Sequence, residues 1–502
     1  MKKDQKALEL IYDPDEYLCT WSVPDGKGGW RTLPGSVDAR ANRPPRGQVY
    51  GDVPLHNSST TSNQATFAFP QHNEFPALRA SLANGGTLIL LDAEILYGSP
   101  GSGHVTGSAA LLGKGNGFFD LMKGGVEPAE QPPPRVTGAR IQIAALDAVC
   151  GTAPITEVAN PAVPGAPKGQ WTAHTNPEAD IEWTSGNEML RVSYRGRARA
   201  MDAFEFGLRF SPVATLMLAD GVTLRELIDR YVEPLRAVIA IATGQARDLT
   251  YLTVELDGER GWFQVFGSAI TQEPYESSSN VIRNVSTAVR AHTDELSLLD
   301  LITRWRALES DHHPLVETYG SMLHAVDQHP RSRFLLLIQA LEGMHGAETR
   351  DEYDERVAKH TEHRTSVLEK LRATANVDEP TEPSPTGGLA ADDHKFIEKF
   401  LMKRPMSSLD GALVAMAKAL PINGMDTLKS TGLVQGLRAS GRAKSTPEAL
   451  RLVRNDLAHG NRGYPADELH EAVEVLERIV RGHALRLLGC PDPVVTRVFD
   501  AH

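Results

Sequence analysis

The spacing of apolar residues changes near residue 290, and this change predicts two kinds of structure in succession. Before it, short apolar runs such as "GTLILLDAEIL" and "TYLTVEL" are separated by glycine and proline, and several alternate apolar and polar residues with a period of two. After about Glu295, stretches such as "DELSLLDLITRWRALESD" carry apolar residues at the i, i+3, i+4 spacing of a helix. We therefore predict the α+β class, with a β-rich N-terminal region followed by an all-α helical bundle.

The chain of 502 residues is too long for one ordinary hydrophobic core, so more than one domain is expected. We place a β-rich domain at 1–290, leaving open whether it is one domain or two, and a helical region at 291–502 with its core at about 330–490. Within the first part, "TLRELIDRYVEPLRAVIAIATG" has helical apolar spacing and predicts at least one amphipathic helix packed against the sheet. The glycine-rich stretch "YGSPGSGHVTGSAALLGKGNG" predicts a loop.

The helical region has recognisable starts and stops. "PRSRFLLLIQALEGMHG" predicts a helix that begins near Pro330 and ends near Gly346, and a long charged helix, "DEYDERVAKHTEHRTSVLEKLRATA", follows it. The segment "NVDEPTEPSPTGG" is rich in proline and predicts an exposed linker or loop. Further helices are predicted at 389–403, 409–419, 447–459 and 466–488.

Composition excludes several classes of protein. The net charge of -12 gives no general basic surface for nucleic acid, so any site for a polyanion must be local. The three cysteines, Cys19, Cys150 and Cys490, are scattered, which excludes a disulfide framework and offers no zinc-binding spacing. No stretch approaches the roughly 18 apolar residues of a membrane span. We predict a cytoplasmic protein with no metal, no cofactor and no membrane partner.

The stretch "RLVRNDLAHGNRGYP" combines two groups that can cleave RNA without a metal. The guanidinium of Arg454 can hold a phosphate bidentately as charge builds on its oxygens, and His459 can move a proton from the ribose 2′-hydroxyl or to the leaving 5′ oxygen. Asn455 follows the arginine, and Gly460 follows the histidine as a natural end for the helix. We expect that ending the helix at Gly460 frees His459 from the helical direction.

A structural interpretation of the same residues is available. An arginine followed after four to six residues by a histidine recurs elsewhere in the chain, for example at Arg306 and His312. On an ideal helix, residues five apart point about 140° away from each other. A protonated histidine is also electrostatically favoured in a last helical turn. In this alternative Arg454 caps the bundle and His459 only ends a helix.

Local charge favours the functional interpretation. From Lys429 to Arg462, seven basic residues stand against only Glu448 and Asp456, a local balance of +5 in an acidic protein. A phosphate backbone could bind there. The predicted RNA-binding residues are Arg438, Arg442, Lys444, Arg451 and Arg462. On composition alone, an ordinary solvated loop explains the stretch "RASGRAKSTPEAL" equally well.

The motif resembles that of a known family. "RNDLAHG" resembles the R-N-x3-H signature of HEPN domains, which are helical bundles and include many metal-independent endoribonucleases. "RFLLLIQALEGMHG", the long charged helix and "RNDLAHGNRGYP" together resemble the ApeA-type HEPN domain of bacterial anti-phage proteins. "GFFDLM" and "RVTGARIQIAAL" are similar to that family's N-terminal domain, so the resemblance covers most of the chain.

The resemblance assigns a role to each motif residue. It implies phosphate binding and transition-state stabilisation for Arg454 and acid/base work for His459, while Asn455 orients substrate or holds the motif in shape. Glu342 and Asp456 are candidate supporting residues. Glu342 lies on the helix that such domains pack near the motif, and a solvated helix face is its alternative. Some HEPN toxins place a tyrosine two residues after the histidine, where this chain has Asn461, so we do not expect tyrosine-dependent chemistry.

These features predict an abortive-infection, anti-phage endoribonuclease that cleaves host RNA, with tRNA as one candidate substrate, and leaves a 2′,3′-cyclic phosphate and a 5′-hydroxyl. The resemblance further implies a homodimer or higher homo-oligomer formed through the HEPN domain. It also implies a sensor or regulatory role for the N-terminal domain, which would respond to a phage-derived trigger. The alternative function is a non-catalytic HEPN module that binds RNA, nucleotide or a partner protein.

Overall fold

The chain folds into two compact units, one β-rich and one helical, which confirms the mixed α+β class. The first unit comprises Met1–Ala307 and Leu487–His502, and the second comprises Leu308–Arg486. The first unit thus continues beyond residue 290 and includes the last residues of the chain. The computed structural model describes residues 6–24, 29–51, 58–61, 63–67, 71–99, 101–114, 133–159, 172–201, 206–323, 325, 328–375, 391–402 and 408–500.

Seventeen strands are found among the described residues of the first unit, and thirteen of them pair into one sheet in the order β13-β14-β15-β10-β16-β17-β9-β7-β6-β1-β2-β3-β8. Two separate pairs, β4 with β5 and β11 with β12, complete the set. The strands are β1 (Glu16–Pro24), β2 (Trp30–Asp38), β3 (Arg46–Tyr50), β4 (Ser58–Thr61), β5 (Gln64–Phe67), β6 (Gln71–Leu82), β7 (Thr87–Ser99), β8 (Ser102–Thr106), β9 (Ala109–Gly113), β10 (Val136–Ile143), β11 (Ile155–Ala159), β12 (Thr172–Thr175), β13 (Ile181–Ser185), β14 (Glu188–Met201), β15 (Phe206–Val222), β16 (Leu249–Leu256) and β17 (Trp262–Phe266).

Six of these strands close into a ring, because β8 pairs with both β3 and β7. Trp21, Tyr97 and Val105 are buried in the core cluster that these strands share. The indole N–H of Trp21 donates a hydrogen bond to the Gln48 carbonyl at 2.9 Å, so the only polar atom of this side chain is satisfied. The period-two alternation of the sequence matches strands with one buried face.

The prediction of a loop for "YGSPGSGHVTGSAALLGKGNG" is wrong over most of its length, since β8 and β9 lie within it. Small residues are needed here because the chain passes close to large side chains. A Cβ atom at Gly103 would lie 2.8 Å from the ring of Tyr97. All five residues of β9 are buried. The glycines that suggested a loop therefore permit close strand packing.

The amphipathic helix predicted in the first unit is confirmed, with a π-helical turn inside it. Helix α2 (Leu224–Leu227), the turn Ile228–Val232 and helix α3 (Glu233–Thr243) follow one another without interruption. Thr223 and Glu226 form a capping box at the start of α2. Every residue of α3 except Glu233 and Arg236 is buried. The other helices of this part are α1 (Leu146–Cys150), the 3₁₀ turn Pro177–Ala179, α4 (Ser279–Arg283), α5 (Leu298–Ser310) and, near the end of the chain, α15 (Asp492–Asp500).

The six helices predicted from Pro330 onward are present in the helical unit, within a few residues at each end. Two short helices, α11 (Gly424–Ser430) and α12 (Gly432–Ala439), were not predicted, since glycine and threonine interrupt their apolar pattern. The predicted linker at 376–388 and the stretch "GFFDLM" of the first unit lie outside the described residues. The elements are a π-helical turn (Val316–Gly320), α6 (Ser321–Leu323), α7 (Pro330–Glu348), α8 (Arg350–Ala375), α9 (Ala391–Phe400), α10 (Leu409–Lys418), α11 (Gly424–Ser430), α12 (Gly432–Ala439), α13 (Thr446–His459) and α14 (Ala466–Leu487).

Helices α7, α10 and α13 pack against one another. Phe334 on α7, Leu413 on α10 and Val453 on α13 are buried. Burial of each such side chain contributes roughly 1.5–3 kcal/mol to the stability of the folded state. His483 on α14 is fully buried and donates its Nε2–H to the carbonyl of Met416 at 2.9 Å. This packing places the start of α10 and the middle of α7 beside the helix that carries the predicted motif. Among the described residues, no helix is both long and apolar enough to cross a membrane.

Candidate active site

Helix α13 carries the motif, and its sequence defines both of its ends. The hydroxyl of Ser445 accepts a hydrogen bond from the Glu448 N–H at 3.3 Å, and Pro447 lies in the first turn. Gly460 takes the left-handed conformation with φ 69°, and its N–H donates to the Asp456 carbonyl. The predicted stop at Gly460 is confirmed. His459, however, is still helical, so the expectation that it is freed from the helical direction is wrong.

The guanidinium of Arg454 is held from two sides. Its Nη2 lies 3.7 Å from Oε2 of Glu342 on α7, and its Nη1 donates to Oδ1 of Asn455 at 3.2 Å. The Arg454 side chain is nevertheless 32% exposed. A guanidinium has five N–H donors, so several remain for an incoming phosphate. The predicted nearness of Glu342 to the motif is what the structure shows.

Asn455 directs its amide oxygen to the neighbouring guanidinium. Of the two roles expected for it, this contact favours holding the motif in shape. Because Glu342 and Asn455 approach different nitrogens, together they restrict the rotation of a long side chain that would otherwise sample many rotamers. An arginine restrained before substrate arrives loses less conformational entropy on binding a phosphate.

His459 is exposed at the C-terminal end of α13. In the described part of the chain its imidazole has neither a hydrogen-bond partner nor an ion-pair partner, so no other protein group holds either ring nitrogen. Since Arg454 and His459 are five residues apart on one helix, their side chains leave it about 140° apart. The structure therefore places both groups near one helix end but does not bring them into contact.

A cluster of four side chains stabilises the turn after His459. Asp456 accepts hydrogen bonds from the hydroxyl of Tyr464 at 2.6 Å and from Arg442 at 3.0 Å. The Tyr464 hydrogen bond, helped by Arg442, holds the pKa of the Asp456 carboxyl below its ordinary value. The guanidinium of Arg462 lies 5.6 Å from the centre of the Tyr464 ring. Asp456, expected as a supporting residue, thus links α13 to the chain on both of its sides.

The structure separates the predicted RNA-binding residues into two groups. Arg442 is paired with Asp456, and Arg451 is paired with Asp410 at 2.9 Å. Arg438, Lys444 and Arg462 are exposed and have no ion-pair partner among the residues that the structure describes. We call these three residues the basic surface. The local balance of +5 overstated the available charge, since Asp410 and Glu342 come from distant parts of the sequence.

Sequence reasoning missed one residue that stabilises the motif helix. A nitrogen of the Arg331 guanidinium donates to the Leu457 carbonyl in the last turn of α13. The last four carbonyls of a helix lack partners within the helix, so a side-chain donor from α7 satisfies one of them. The position of Arg331 directly after the helix-starting Pro330 is its only sequence signal, and it does not reveal the contact.

The described residues contain no group of three or more His, Cys, Asp or Glu side chains placed to hold a metal ion. The three cysteines are buried as free thiols. No family model, curated protein or solved structure matches the chain. The sequence motif and the geometry around Arg454 and His459 are therefore what indicates a function.

Proposed function

We propose that the helical unit is a HEPN-type, metal-independent endoribonuclease whose catalytic residues are Arg454 and His459. One observation carries the proposal. The guanidinium of Arg454 is restrained by Glu342 and Asn455 yet remains partly exposed, and an exposed histidine ends the same helix. A restrained cation and an accessible proton carrier are the two groups that cleavage of RNA by its own 2′-hydroxyl requires.

The chemistry assigns one role to each group. The ribose 2′-oxygen attacks the adjacent phosphorus and loses its proton, while the bond to the 5′ oxygen breaks and that oxygen gains a proton. His459 moves a proton in this sequence, and Arg454 stabilises the charge that builds on the non-bridging oxygens. The products are a 2′,3′-cyclic phosphate and a 5′-hydroxyl.

The working unit in this proposal is a homodimer or higher homo-oligomer formed through the helical unit. The side chains of Arg454 and His459 leave α13 about 140° apart, so one copy of the helix presents them to different sides. Two copies facing each other would place two arginines and two histidines around one RNA backbone. They would also bring two basic surfaces together, which favours binding of a polyanion.

The biological role in this proposal is abortive infection in the cytoplasm. The substrate is host RNA, with tRNA as one candidate, and the β-rich unit responds to a phage-derived trigger. This part is supported by the resemblance of "RNDLAHGNRGYP" and its preceding helices to ApeA-type proteins. A nuclease that cuts host RNA must be held inactive until infection, which is a role available to the first unit.

Phage plating tests the proposal in cells. Bacteria carrying the wild-type chain, Arg454→Ala or His459→Ala are infected, and total RNA is examined by electrophoresis. We expect protection and RNA fragments with the wild type and neither with the two variants, at equal protein levels. Protection that survives His459→Ala would remove the nuclease assignment.

The second candidate function is a non-catalytic module that binds RNA, nucleotide or a partner protein, and the exposed basic surface favours it. In that case His459→Ala keeps protection, while charge reversal at Arg438, Lys444 and Arg462 abolishes it. Arg442 is unsuitable for this test because its reversal would also break the pair with Asp456. If both residues serve only structure, His459→Ala changes thermal stability without a specific loss of cleavage.

A further inference from the structure

A cavity of about 480 Å³ opens beside the candidate site. Its walls come from the end of α7, the start of α8 and the start of α10. Glu342 lines it, so one carboxylate belongs both to the cavity and to the ion pair with Arg454. The volume lies within the range of small-molecule pockets and far above that of a trapped water.

The walls combine small residues and an aromatic ring with polar groups. Gly346, Gly411 and Ala412 are small, which leaves room for a planar ligand. Tyr353 contributes an aromatic ring, and the guanidinium of Arg356 lies 5.6 Å from its centre. Aromatic rings and guanidinium planes are the surfaces on which unpaired RNA bases stack.

The charges of the cavity favour a base over a polyphosphate. Among the lining residues, Arg350 and Arg356 stand against the carboxylates of Glu342 and Asp354, and Glu342 also pairs with Arg454 beside the cavity. A polyphosphate needs an excess of cations, whereas a nucleobase is neutral and presents both donors and acceptors. His345 adds a ring that can donate or accept.

Side chains on two of the helices that form the cavity also contact the motif helix α13. Asp410, in the first turn of the α10 wall, forms the ion pair with Arg451 on α13 at 2.9 Å. Glu342, on the α7 wall, contacts Arg454. A ligand seated in the cavity therefore lies against Glu342, which contacts α13, and against Leu409 and Gly411, the two neighbours of Asp410.

We propose that this cavity binds the base of a nucleotide next to the phosphate that Arg454 holds, and so selects the position at which RNA is cut. This inference rests on the proposed function for the identity of the neighbouring phosphate. The ligand is a nucleoside monophosphate unit within an RNA strand. A free nucleotide offers the same chemistry and is the other source that the test separates from it.

Gly346 allows the cavity to be filled without disturbing the fold. A Cβ atom at Gly346 would meet no atom within 4 Å, so Gly346→Phe directs a ring into open space, and Gly346→Ala is its matched control. A Cβ atom at Gly436 on α12 would also meet no atom within 4 Å, and Gly436 does not line the cavity. Gly436→Phe is therefore a control for a ring added elsewhere on the surface. Gly436 lies two residues from Arg438, on a different side of the helix.

The first measurement uses the full chain with His459→Ala in every variant, so that bound RNA stays intact. Binding of a labelled single-stranded RNA of mixed sequence is titrated, and each of the four nucleoside 5′-monophosphates is tested separately. We expect Gly346→Phe to weaken RNA binding by at least about fivefold relative to Gly346→Ala, since stacking of one base is lost. Gly436→Phe should bind RNA like the parent.

Equal RNA binding by Gly346→Phe and Gly346→Ala would overturn the proposal. So would a loss confined to a free monophosphate, because the cavity would then serve a nucleotide and not the RNA. Mapping the cuts made by the corresponding chains with His459 intact separates the two proposals. If no chain cuts RNA although the binding difference is present, the nuclease assignment fails and the base-binding cavity remains.

Discussion

Arg454 and Glu342 form an ion pair at 3.7 Å between two helices that are far apart in the sequence. The two side chains are 32% and 40% exposed, so the pair contributes at most about 1 kcal/mol to stability. The ion pair is therefore better explained as a contact that orients the Arg454 guanidinium than as one that stabilises the fold. Glu342 restrains the guanidinium that the proposed reaction needs.

Replacing Glu342 with glutamine should lower RNA cleavage by about tenfold, because the guanidinium loses its charged partner and samples other rotamers. The free energy of unfolding should change by less than about 1 kcal/mol. Glu348→Gln is the matched control, since Glu348 lies on the same helix and pairs with Arg486 at similar exposure. Equal cleavage by the two variants would show that Glu342 has no positioning role.

The basic surface should be visible in the salt dependence of RNA binding. Arg438→Gln, Lys444→Gln and Arg462→Gln should each weaken binding and reduce the slope of log affinity against log salt by about 0.7–1. Arg451→Gln should leave the slope unchanged because Arg451 is paired with Asp410. A reduced slope for Arg451→Gln, with an unchanged slope for the other three variants, would contradict the division into paired and unpaired basic residues.

Stability at acidic pH should depend on His483. Burial lowers the pKa of His483 from its ordinary value of 6.5 to about 4, so the unfolded chain takes up a proton at higher pH than the folded one. The contribution of neutral His483 to the free energy of unfolding is complete above pH 6.5 and is lost as the pH falls toward 4.

The loss of unfolding free energy should approach about 3 kcal/mol, which follows from the size of the shift in the pKa of His483. The free energy of unfolding, measured with denaturant between these pH values, should depend less on pH for His483→Gln than for the wild type. The glutamine side chain has no group to protonate in this range. Parallel profiles for the two proteins would mean that His483 does not titrate as described.

The end of the motif helix should be sensitive to backbone conformation. Gly460 has φ 69°, and a Cβ added there would meet no atom within 4 Å, so Gly460→Ala adds backbone strain without a clash. We expect a loss of about 1 kcal/mol in unfolding free energy. Gly460→Asn should lose less, since asparagine tolerates this conformation. Equal stability of all three proteins would contradict the structure of this cap.

The sequence predicted local features of the fold well and contacts between distant residues poorly. Pro330 and Gly460 act on the backbone near them, so helix ends could be predicted there. The strands at 102–106 and 109–113 could not, because Gly103 and Gly113 pack closely against the rings of Tyr97 and Phe263, which only the assembled sheet reveals.

The candidate site shows the same division. Arg454, Asn455 and His459 were identified from one short motif, whereas the pairing of Arg451 with Asp410 and the contact of Arg331 with the Leu457 carbonyl come from helix packing. The charges counted along the sequence therefore overestimate the unpaired positive charge near the motif. Packing places acidic partners from α7 and α10 against it.

Cleavage by the purified full-length protein tests the central claim most directly. A single-stranded RNA is incubated with the wild-type chain, Arg454→Ala and His459→Ala in the presence of a metal chelator, and the fragment ends are identified. We expect the wild type to leave 2′,3′-cyclic phosphates and 5′-hydroxyls, and each variant to cut at least about 100-fold more slowly while remaining folded. Cutting by His459→Ala at the wild-type rate, or wild-type cutting that requires a divalent metal ion, would contradict the assignment.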